Sequence, residues 1–132
     1  MVTNKKILGM KKMYKKILVS IADDEHSLHA LEQALIFADK SAAEIIGVFV
    51  GSENTPEQNA AFKEKVEKAF PDFNFLAITS KNIASAIAET AENENCDLIV
   101  MGSRRLPGPT SLVMRSVTNA VISASQKPVL VI

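Results

Sequence analysis

The sequence predicts an α/β fold in which five parallel strands alternate with four helices. Short apolar runs recur along the chain, and helical patterns with one apolar face separate them. The runs are nearly continuous rather than alternating, which is typical of strands that are buried on both faces of a sheet. Because each strand is followed by a helix, the crossovers should be right-handed and should produce one parallel sheet covered on both faces.

Length and composition limit the class of protein. The chain has 132 residues, 47% of them hydrophobic, which suffices for one core and is too short for two ordinary domains. Its 15 basic and 15 acidic residues cancel, so the net charge gives no indication of nucleic-acid binding. Residues 1–13 are rich in lysine and lack acidic residues, and we expect a basic, disordered extension before a domain at 14–132. A translation start at Met10 or Met13 would suit this domain as well as Met1.

The single cysteine and the hydropathy pattern indicate a cellular compartment. Cys96 alone excludes an internal disulfide and is typical of a reducing environment. Because it precedes an apolar run, we expect a buried and unreactive thiol. No apolar stretch approaches the roughly 20 residues of a membrane span, and the basic start lacks the longer apolar segment of a secretory signal. We therefore expect a cytoplasmic protein with no membrane and no nucleic-acid partner.

The strands and the helix starts can be placed individually. Apolar runs predict strands over residues 17–21, 45–50, 73–79, 98–101 and 129–132. Residues that commonly cap helices precede the four helical patterns: Ser27, Thr55, Asn82, and either Thr110 or Ser111. Thr55 gives the clearest signal, because Pro56 follows it and Gln58, three residues after the cap, completes a capping box.

Each predicted helix has one apolar face, which should pack on the sheet. These faces comprise Leu28, Leu31, Leu35 and Ala38 in the first helix, Phe62, Val66, Ala69 and Phe70 in the second, Ile83, Ile87, Thr90 and Ala91 in the third, and Val113, Val117, Ala120, Val121 and Ala124 in the fourth.

Several catalytic signatures are missing from the sequence. It contains no GxxxxGK[ST] phosphate loop, no GxGxxG fingerprint and no GxSxG elbow. His26 and His29 are three residues apart, but no third histidine or cysteine completes a zinc site with them. Asp23, Asp24 and Glu25 follow the first strand and could serve as acid or base groups, although solvated carboxylates at a helix start are the simpler interpretation. We therefore predict no catalytic residue, no metal site and no enzymatic activity.

The loop after the fourth strand is the best candidate ligand site. The apolar run ends at Met101, and Gly102, Arg104, Arg105 and Gly108 follow before the fourth helical pattern. In an open parallel sheet, ligands bind beyond the carboxyl ends of the strands, where backbone N–H groups and a helix N-terminus converge.

Three segments together resemble the universal stress protein family. They are KKILVSIADDEHSLHALEQAL at residues 15–35, CDLIVMGSRRLPG at 96–108 and KPVLVI at 127–132. The resemblance covers residues 14–132 and implies a five-stranded parallel sheet in the order 3-2-1-4-5, with two helices on each face, as in adenine nucleotide alpha hydrolase-like and Rossmann-like folds. It also implies a non-enzymatic stress-response protein that acts through protein contacts.

One branch of this family binds ATP through a loop with the pattern glycine, two residues, glycine, nine residues, glycine and then serine or threonine. Counted from Gly102, this chain has Arg105 and Arg115 at the second and third glycine positions and Ser116 at the hydroxyl position. An arginine side chain occupies the space that glycine leaves for a phosphate group. We therefore expect no bound cofactor and weak or no ATP binding.

An ATP- or AMP-binding regulatory protein is the alternative interpretation. The three arginines of this region would attract an anion, and guanidinium groups bind phosphate well. In the family the first strand usually ends in an aspartate, and this chain has Ala22 there, or Asp23 if the register slips by one residue. The positions that match the family's nucleotide site are Ala22 or Asp23, Val50, Met101, Gly102, Arg104, Gly108, Ser116 and Val117.

The last strand bears on partners. Val129, Leu130, Val131 and Ile132 carry no charge and would lie at a sheet edge, and an unprotected apolar edge favours pairing with another chain. The resemblance implies the same, because members of the family dimerise through their final strands. We therefore expect a homodimer through residues 129–132, besides a protein partner that the sequence does not identify.

Overall fold

The structure, a computed structural model, describes residues 14–21, 31–36, 39–40, 42–71, 73–101 and 108–131, with the backbone alone for 108–115. The strands are β1 (Lys16–Ser20), β2 (Glu44–Gly51), β3 (Asn74–Thr79), β4 (Leu98–Met101) and β5 (Val129–Val131). The helices are α1 (helical residues 31–36), α2 (Pro56–Ala69), α3 (Ile83–Asn93) and α4 (Gly108–Ala124). All strand pairs are parallel and the order is β3-β2-β1-β4-β5, which confirms the predicted α/β class and strand order.

The sheet is built around β1, which pairs with β2 on one side and with β4 on the other. Ile17, Leu18 and Val19 are fully buried. Because successive side chains of a strand point to opposite faces, Ile17 and Val19 belong to one core cluster and Leu18 belongs to the other. Both faces of the central strand are therefore covered, as its unbroken apolar run predicts.

Two helices cover each face of the sheet. Leu31 of α1 and Phe62 and Val66 of α2 lie in the first core cluster, whereas Ile87 of α3 and Val121 of α4 lie in the second. The arrangement of two helices on each face is thereby confirmed.

Phenylalanine side chains form much of the first cluster. The rings of Phe49 and Phe62 lie 4.9 Å apart and those of Phe62 and Phe75 5.5 Å apart, both edge to face, and Phe73 continues the series beside Phe75 at 6.3 Å. Gly47 of β2 lies beneath the Phe73 ring, where a side chain would collide with it. The close packing of these rings therefore depends on a glycine in the middle of a strand.

The predicted caps of α2 and α3 are confirmed. The Thr55 hydroxyl accepts a hydrogen bond from the Gln58 N–H at 3.2 Å, and the Gln58 carboxamide oxygen accepts one from the Thr55 N–H at 2.9 Å. Asn82 accepts a hydrogen bond from the Ser85 N–H at 3.1 Å. Side-chain acceptors thus satisfy N–H groups that have no partner within the first turn. The predicted cap Ser27 lies outside the described residues.

The prediction that α4 is capped by Thr110 or Ser111 is wrong. The helix already begins at Gly108, so both residues lie within its first turn. Pro109 does not prevent this start, because the N–H that proline lacks has no partner in the first helical turn.

Most of the predicted helix faces are confirmed, but three alanines are exceptions. Ala69, Ala120 and Ala124 are exposed, and Thr118 is buried in their place on α4. Alanine is small and equally acceptable on either side of a helix, so its spacing carries little information about burial. Leu28 and Ala38, and the side chain of Val113, lie outside the described residues.

Asp97 links two strands at the amino-terminal end of the sheet. Its carboxylate accepts hydrogen bonds from the backbone N–H groups of Lys15 at 2.8 Å and Lys16 at 3.2 Å, and its own N–H donates to the Lys16 carbonyl at 2.9 Å. These contacts join the starts of β1 and β4. Across the part of the chain that the structure describes, no helix combines the length and hydropathy needed to cross a membrane.

Candidate functional site

A crevice is expected at the carboxyl ends of β1 and β4, where the strand order reverses direction. Ser20, the last residue of β1, is in register with Val48 of β2 on one side and with Met101 of β4 on the other. The Ile21 N–H donates to the Val48 carbonyl at 2.9 Å, so pairing with β2 extends one residue beyond the strand. The two central strands therefore end side by side, and the chain leaves them for helices on opposite faces.

The structure brings three of the predicted site residues into one apolar wall. Val50 and Met101 are buried at the carboxyl ends of β2 and β4, and both belong to the second core cluster. Val117 of α4 is half-buried and packs against the same cluster. The three side chains of this wall contain no group that could act as acid, base or nucleophile, and Met101 and Val50, at 0% and 7% exposure, leave Val117 as the member with accessible surface. Ala22, Asp23, Gly102 and Arg104 lie outside the described residues.

The structure separates two other predicted site residues along α4. Gly108 is the first residue of the helix, whereas Ser116 is an exposed residue in its third turn. At a rise of about 1.5 Å per residue, the two positions are roughly 12 Å apart along the helix axis. Only about the first four N–H groups of a helix are free of intrahelical bonds, so the Ser116 amide is not among those available to an anion.

A polar network that the sequence did not predict links the carboxyl ends of β2 and β3, beside the crevice. The Asn54 carboxamide nitrogen donates to the Asn59 side-chain oxygen, and the Asn59 carboxamide donates to the Thr79 hydroxyl at 3.0 Å. The Thr79 hydroxyl in turn donates to the Asn54 carbonyl at 2.8 Å. Asn54 packs directly over Gly51, where a side chain would overlap it. The network fixes the turn between β2 and α2, and two asparagines flanking a capping box are the signal that could have indicated it.

Cys96 lies at the opposite, amino-terminal end of the sheet, next to Asp97. It is 1% exposed, which confirms the predicted burial. Burial raises the pKa of the thiol from its ordinary 9.0 to about 11, an effect that the nearby Lys16 ammonium partly opposes. The thiol is therefore protonated at neutral pH and remote from the crevice, and it has neither the charge state nor the position of a nucleophile.

Two ion pairs also lie at this amino-terminal end of the sheet. Lys16 is 3.6 Å from Glu94, and Lys127 is 3.8 Å from Glu92. Among the residues that the structure describes, no three His, Cys, Asp or Glu side chains come together as metal ligands. The predicted acidic residues Asp23, Asp24 and Glu25 and the histidines His26 and His29 lie outside this part of the chain.

A shallow depression of about 660 Å³ also opens at the amino-terminal ends of β2 and β3. Its lining includes Leu35, Ile45, Phe70 and Asn74, with Asp39 among the polar residues. These side chains do not combine into a catalytic or ligand-binding set, and the crevice at the other end of the sheet remains the candidate site.

Comparison with known proteins gives similar chains of nearly the same length. The universal stress protein MJ0531 of Methanocaldococcus jannaschii is 28% identical over 99% of this chain and 89% of its own length. The universal stress protein Sll1654 of Synechocystis is 30% identical over 91% of this chain and 86% of its own length.

Two solved structures have the same fold as this chain. The structure of hypothetical protein MJ0577 is 30% identical, with a TM-score of 0.71 over 91% of this chain and 96% of that one. A universal stress protein in complex with cAMP has the same fold, with a TM-score of 0.68 and 19% identity over 91% of this chain and 97% of that one.

A family model adds the extent of the match. The model of the universal stress protein family matches residues 13–132, which is nearly the whole chain and includes every described strand and helix. The sheet order, the two helices on each face and this match lead to one conclusion: the chain belongs to the universal stress protein family.

Proposed function

We propose that this protein is a non-enzymatic, cytoplasmic universal stress protein that acts as a homodimer through protein contacts, with weak or no ATP binding. The position of Ser116 in the third turn of α4 carries the proposal about ATP. Because the helix is already formed at this point, its backbone is engaged in helical hydrogen bonds and is not free to wrap a phosphate chain. Arg105 and Arg115, in place of two family glycines, act in the same direction.

The second candidate is an adenine nucleotide-binding regulatory protein that uses the Gly102–Gly108 loop. Val117, half-buried on α4 beside this wall, favours it, because a base could pack on its accessible apolar surface without any phosphate grip. The similar protein in complex with cAMP supports a ligand with one phosphate group rather than three. On this alternative, AMP would bind more tightly than ATP.

Two measurements distinguish these candidates. Mass spectrometry of the purified and gently denatured protein should detect no adenine nucleotide near stoichiometric amounts. Titration calorimetry with ATP and magnesium should then show weak or no binding. A near-stoichiometric nucleotide that co-purifies, or tight binding of ATP, would overturn the proposal, whereas tight binding of AMP alone would support the second candidate.

A variant tests the physical reason. Arg105→Gly combined with Arg115→Gly restores the two family glycines, and ATP affinity should rise in this double variant if the missing space limits binding. The control is Arg115→Ala, which removes one charge, keeps a strong helix former in α4 and leaves the space at residue 105 filled. An unchanged ATP affinity in the double variant would show that the glycines are not the limiting feature.

The dimer proposal depends on β5. Its side chains carry no charge, and Leu130 remains 39% exposed at the edge of the sheet; Ile132 lies outside the described residues. An exposed edge of this kind favours pairing with a second chain. Light scattering should give a dimer mass for the wild type and a lower mass for Leu130→Glu. Ile36→Glu, at a 48% exposed isoleucine on α1, is the matched control and should keep the wild-type mass. A monomeric wild type would refute this dimer.

A further inference from the structure

The shallow depression at the amino-terminal ends of β2 and β3 combines apolar surface with negative charge. Leu35, Ile45 and Phe70 line it and are only half-buried, so apolar surface remains accessible. Among the described residues that line it, Asp39 and Glu44 carry a charge, and both are exposed carboxylates. The depression therefore suits a segment that carries apolar and basic side chains together.

The end of α2 adds to the negative character of the depression. The helix ends at Ala69, which belongs to the lining, and the last carbonyl groups of a helix carry a partial negative charge. Lys68 lies 3.1 Å from Glu64 and is thereby directed to a carboxylate outside the depression. Lys15 and Lys40 adjoin the two lining carboxylates and offset part of their charge. Apolar contact must therefore contribute to any binding here.

The chain enters the folded domain beside this depression. Tyr14, the first described residue, is half-buried and packs against the first core cluster, as the apolar lining residues do. The Glu44 N–H donates to the Lys15 carbonyl at 2.9 Å. Residue 13 is therefore only two residues, at most about 7 Å of extended chain, from a residue bonded to the lining.

We propose that residues 1–13 of this chain, which lie outside the described residues, bind in the depression of the same molecule. Their sequence, MVTNKKILGMKKM, contains no acidic residue and has an apolar run, Ile7 and Leu8, between the lysine pairs 5–6 and 11–12. The apolar side chains would cover the half-buried lining, and the lysines would face its carboxylates and the end of α2.

The reach and the tether both favour this occupant. The six residues from Ile7 to Met13 span up to about 20 Å when extended, which is enough to cross a depression of about 660 Å³. A short tether also keeps the effective concentration of the segment in the millimolar range, so weak contacts suffice to fill the depression. The proposal uses neither β5 nor the crevice, and it therefore does not rest on the function proposed above.

A fluorescent probe tests the contact, since the chain has no tryptophan of its own. In Leu8→Trp, docking should shield the indole from water, and its emission should lie at a shorter wavelength than in a synthetic peptide of residues 1–13 with the same substitution. Reversing both lining charges, with Asp39→Lys and Glu44→Lys, should shift the emission toward that of the peptide.

The matched control reverses two exposed carboxylates elsewhere. Glu53→Lys follows β2 at the other end of the sheet, and Glu89→Lys lies on α3, which covers the opposite face. This pair changes the net charge equally and should leave the emission unchanged.

Changes within the segment test the same contact without altering the folded domain. Lys11→Glu with Lys12→Glu should also shift the emission toward that of the peptide. Combining these changes with the reversed lining charges restores opposite signs and should recover part of the short-wavelength emission.

Several outcomes would overturn the proposal. The first is a Leu8→Trp chain that emits like the free peptide, and the second is an emission that neither the lining nor the segment variants change in chains that melt cooperatively. An equal shift in the control pair would indicate a general charge effect. A short-wavelength emission that appears only as protein concentration rises would assign the depression to the segment of a second copy.

Discussion

Replacing Gly47 by alanine should destabilise the protein, because the new methyl group would enter the space of the Phe73 ring. A Cβ at this position would lie 2.6 Å from Phe73 Cε1, closer still to Cζ, and 3.0 Å from Phe75 Cδ2. Both rings are buried, at 8% and 3% exposure. Phe75 also packs edge to face on Phe62 at 5.5 Å, so the rings cannot move without disturbing their neighbours.

The magnitude follows from two opposing effects. Forcing an extra methyl group into a packed core costs about 1–3 kcal/mol. Alanine is more favourable than glycine inside a strand by about 0.5–1 kcal/mol, which offsets part of that cost. The net loss in the free energy of unfolding should be about 1–2 kcal/mol, equivalent to a decrease of roughly 3–8 °C in melting temperature for a chain of this size.

Gly51→Ala is the matched control on the same strand and the same face. Its Cβ would lie 2.6 Å from the Asn54 side-chain carbon Cγ, but Asn54 is only half-buried and can rotate toward solvent. The gain from alanine then roughly balances the lost hydrogen bonds, each worth about 0.5–1.5 kcal/mol. Gly51→Ala should therefore change stability by less than about 1 kcal/mol.

Urea denaturation followed by far-ultraviolet circular dichroism measures both variants, since the chain has no tryptophan. Adding Phe73→Leu to Gly47→Ala should recover part of the loss, because a smaller side chain relieves the collision. The reasoning fails if Gly47→Ala is as stable as wild type, or if Gly51→Ala loses more stability than Gly47→Ala.

Further predictions concern single side chains. Thr55→Ala should cost about 1 kcal/mol in urea denaturation through loss of the capping box, whereas Thr55→Ser should cost little. Asp97→Ala should cost about 1–3 kcal/mol, because two backbone N–H groups lose a charged acceptor, and Asp97→Asn should cost less in the same urea denaturation. Thr118→Val should raise stability by about 1 kcal/mol, because the Thr118 hydroxyl is buried with no hydrogen-bond partner in the described structure; an unchanged or lower melting temperature would contradict this. The raised pKa of the Cys96 thiol means that the folded chain keeps a proton which the unfolded chain loses above about pH 9. The free energy of unfolding should therefore fall from about pH 9 toward pH 11. Measured against pH, this decline should be absent in Cys96→Ala.

The strands could be predicted because long apolar runs in an α/β pattern have few alternatives. Residues 98–101 agree with β4 at both ends. The structure begins β1 at Lys16 rather than Ile17 and β2 at Glu44 rather than Ile45, because these two polar residues are in register with each other. The prediction erred in the other direction at Ile21 and Phe73, each one residue outside β1 and β3. Backbone pairing does not depend on side-chain polarity, so an apolar run places the ends of a strand only to within about a residue.

The fourth helix shows where local patterns give less information. Its sequence contains small or weakly polar residues on every side, so Ala120 and Ala124 were as plausible on the buried face as Thr118. Its start was equally ambiguous, since Thr110 and Ser111 are good capping residues but also fit inside a first turn. Packing against the rest of the protein decides both questions, and a single-sequence pattern does not contain that information.

Only part of the candidate site could be predicted from the sequence. Val50, Met101 and Val117 could be placed together because strand ends and a parallel topology bring them to one edge of the sheet. Counting glycines does not indicate how far α4 extends toward Gly108, and therefore did not place Ser116 in its third turn. The Asn54, Asn59 and Thr79 network was missed because Thr79 is 20 and 25 residues from its two partners.

Polar contacts join neighbouring strands at both ends of the sheet. At the amino-terminal end, Asp97 and the Lys16–Glu94 pair join β1, β4 and the turn after α3. At the carboxyl end, the Asn54 network joins β2 and β3. The ends of β1 and β4 are in register at Ser20 and Met101, and both residues are buried, at 3% and 0% exposure. The choice of the β1–β4 switch point as the candidate site therefore rests on the parallel topology, since ligands of open parallel sheets bind where the strand order reverses.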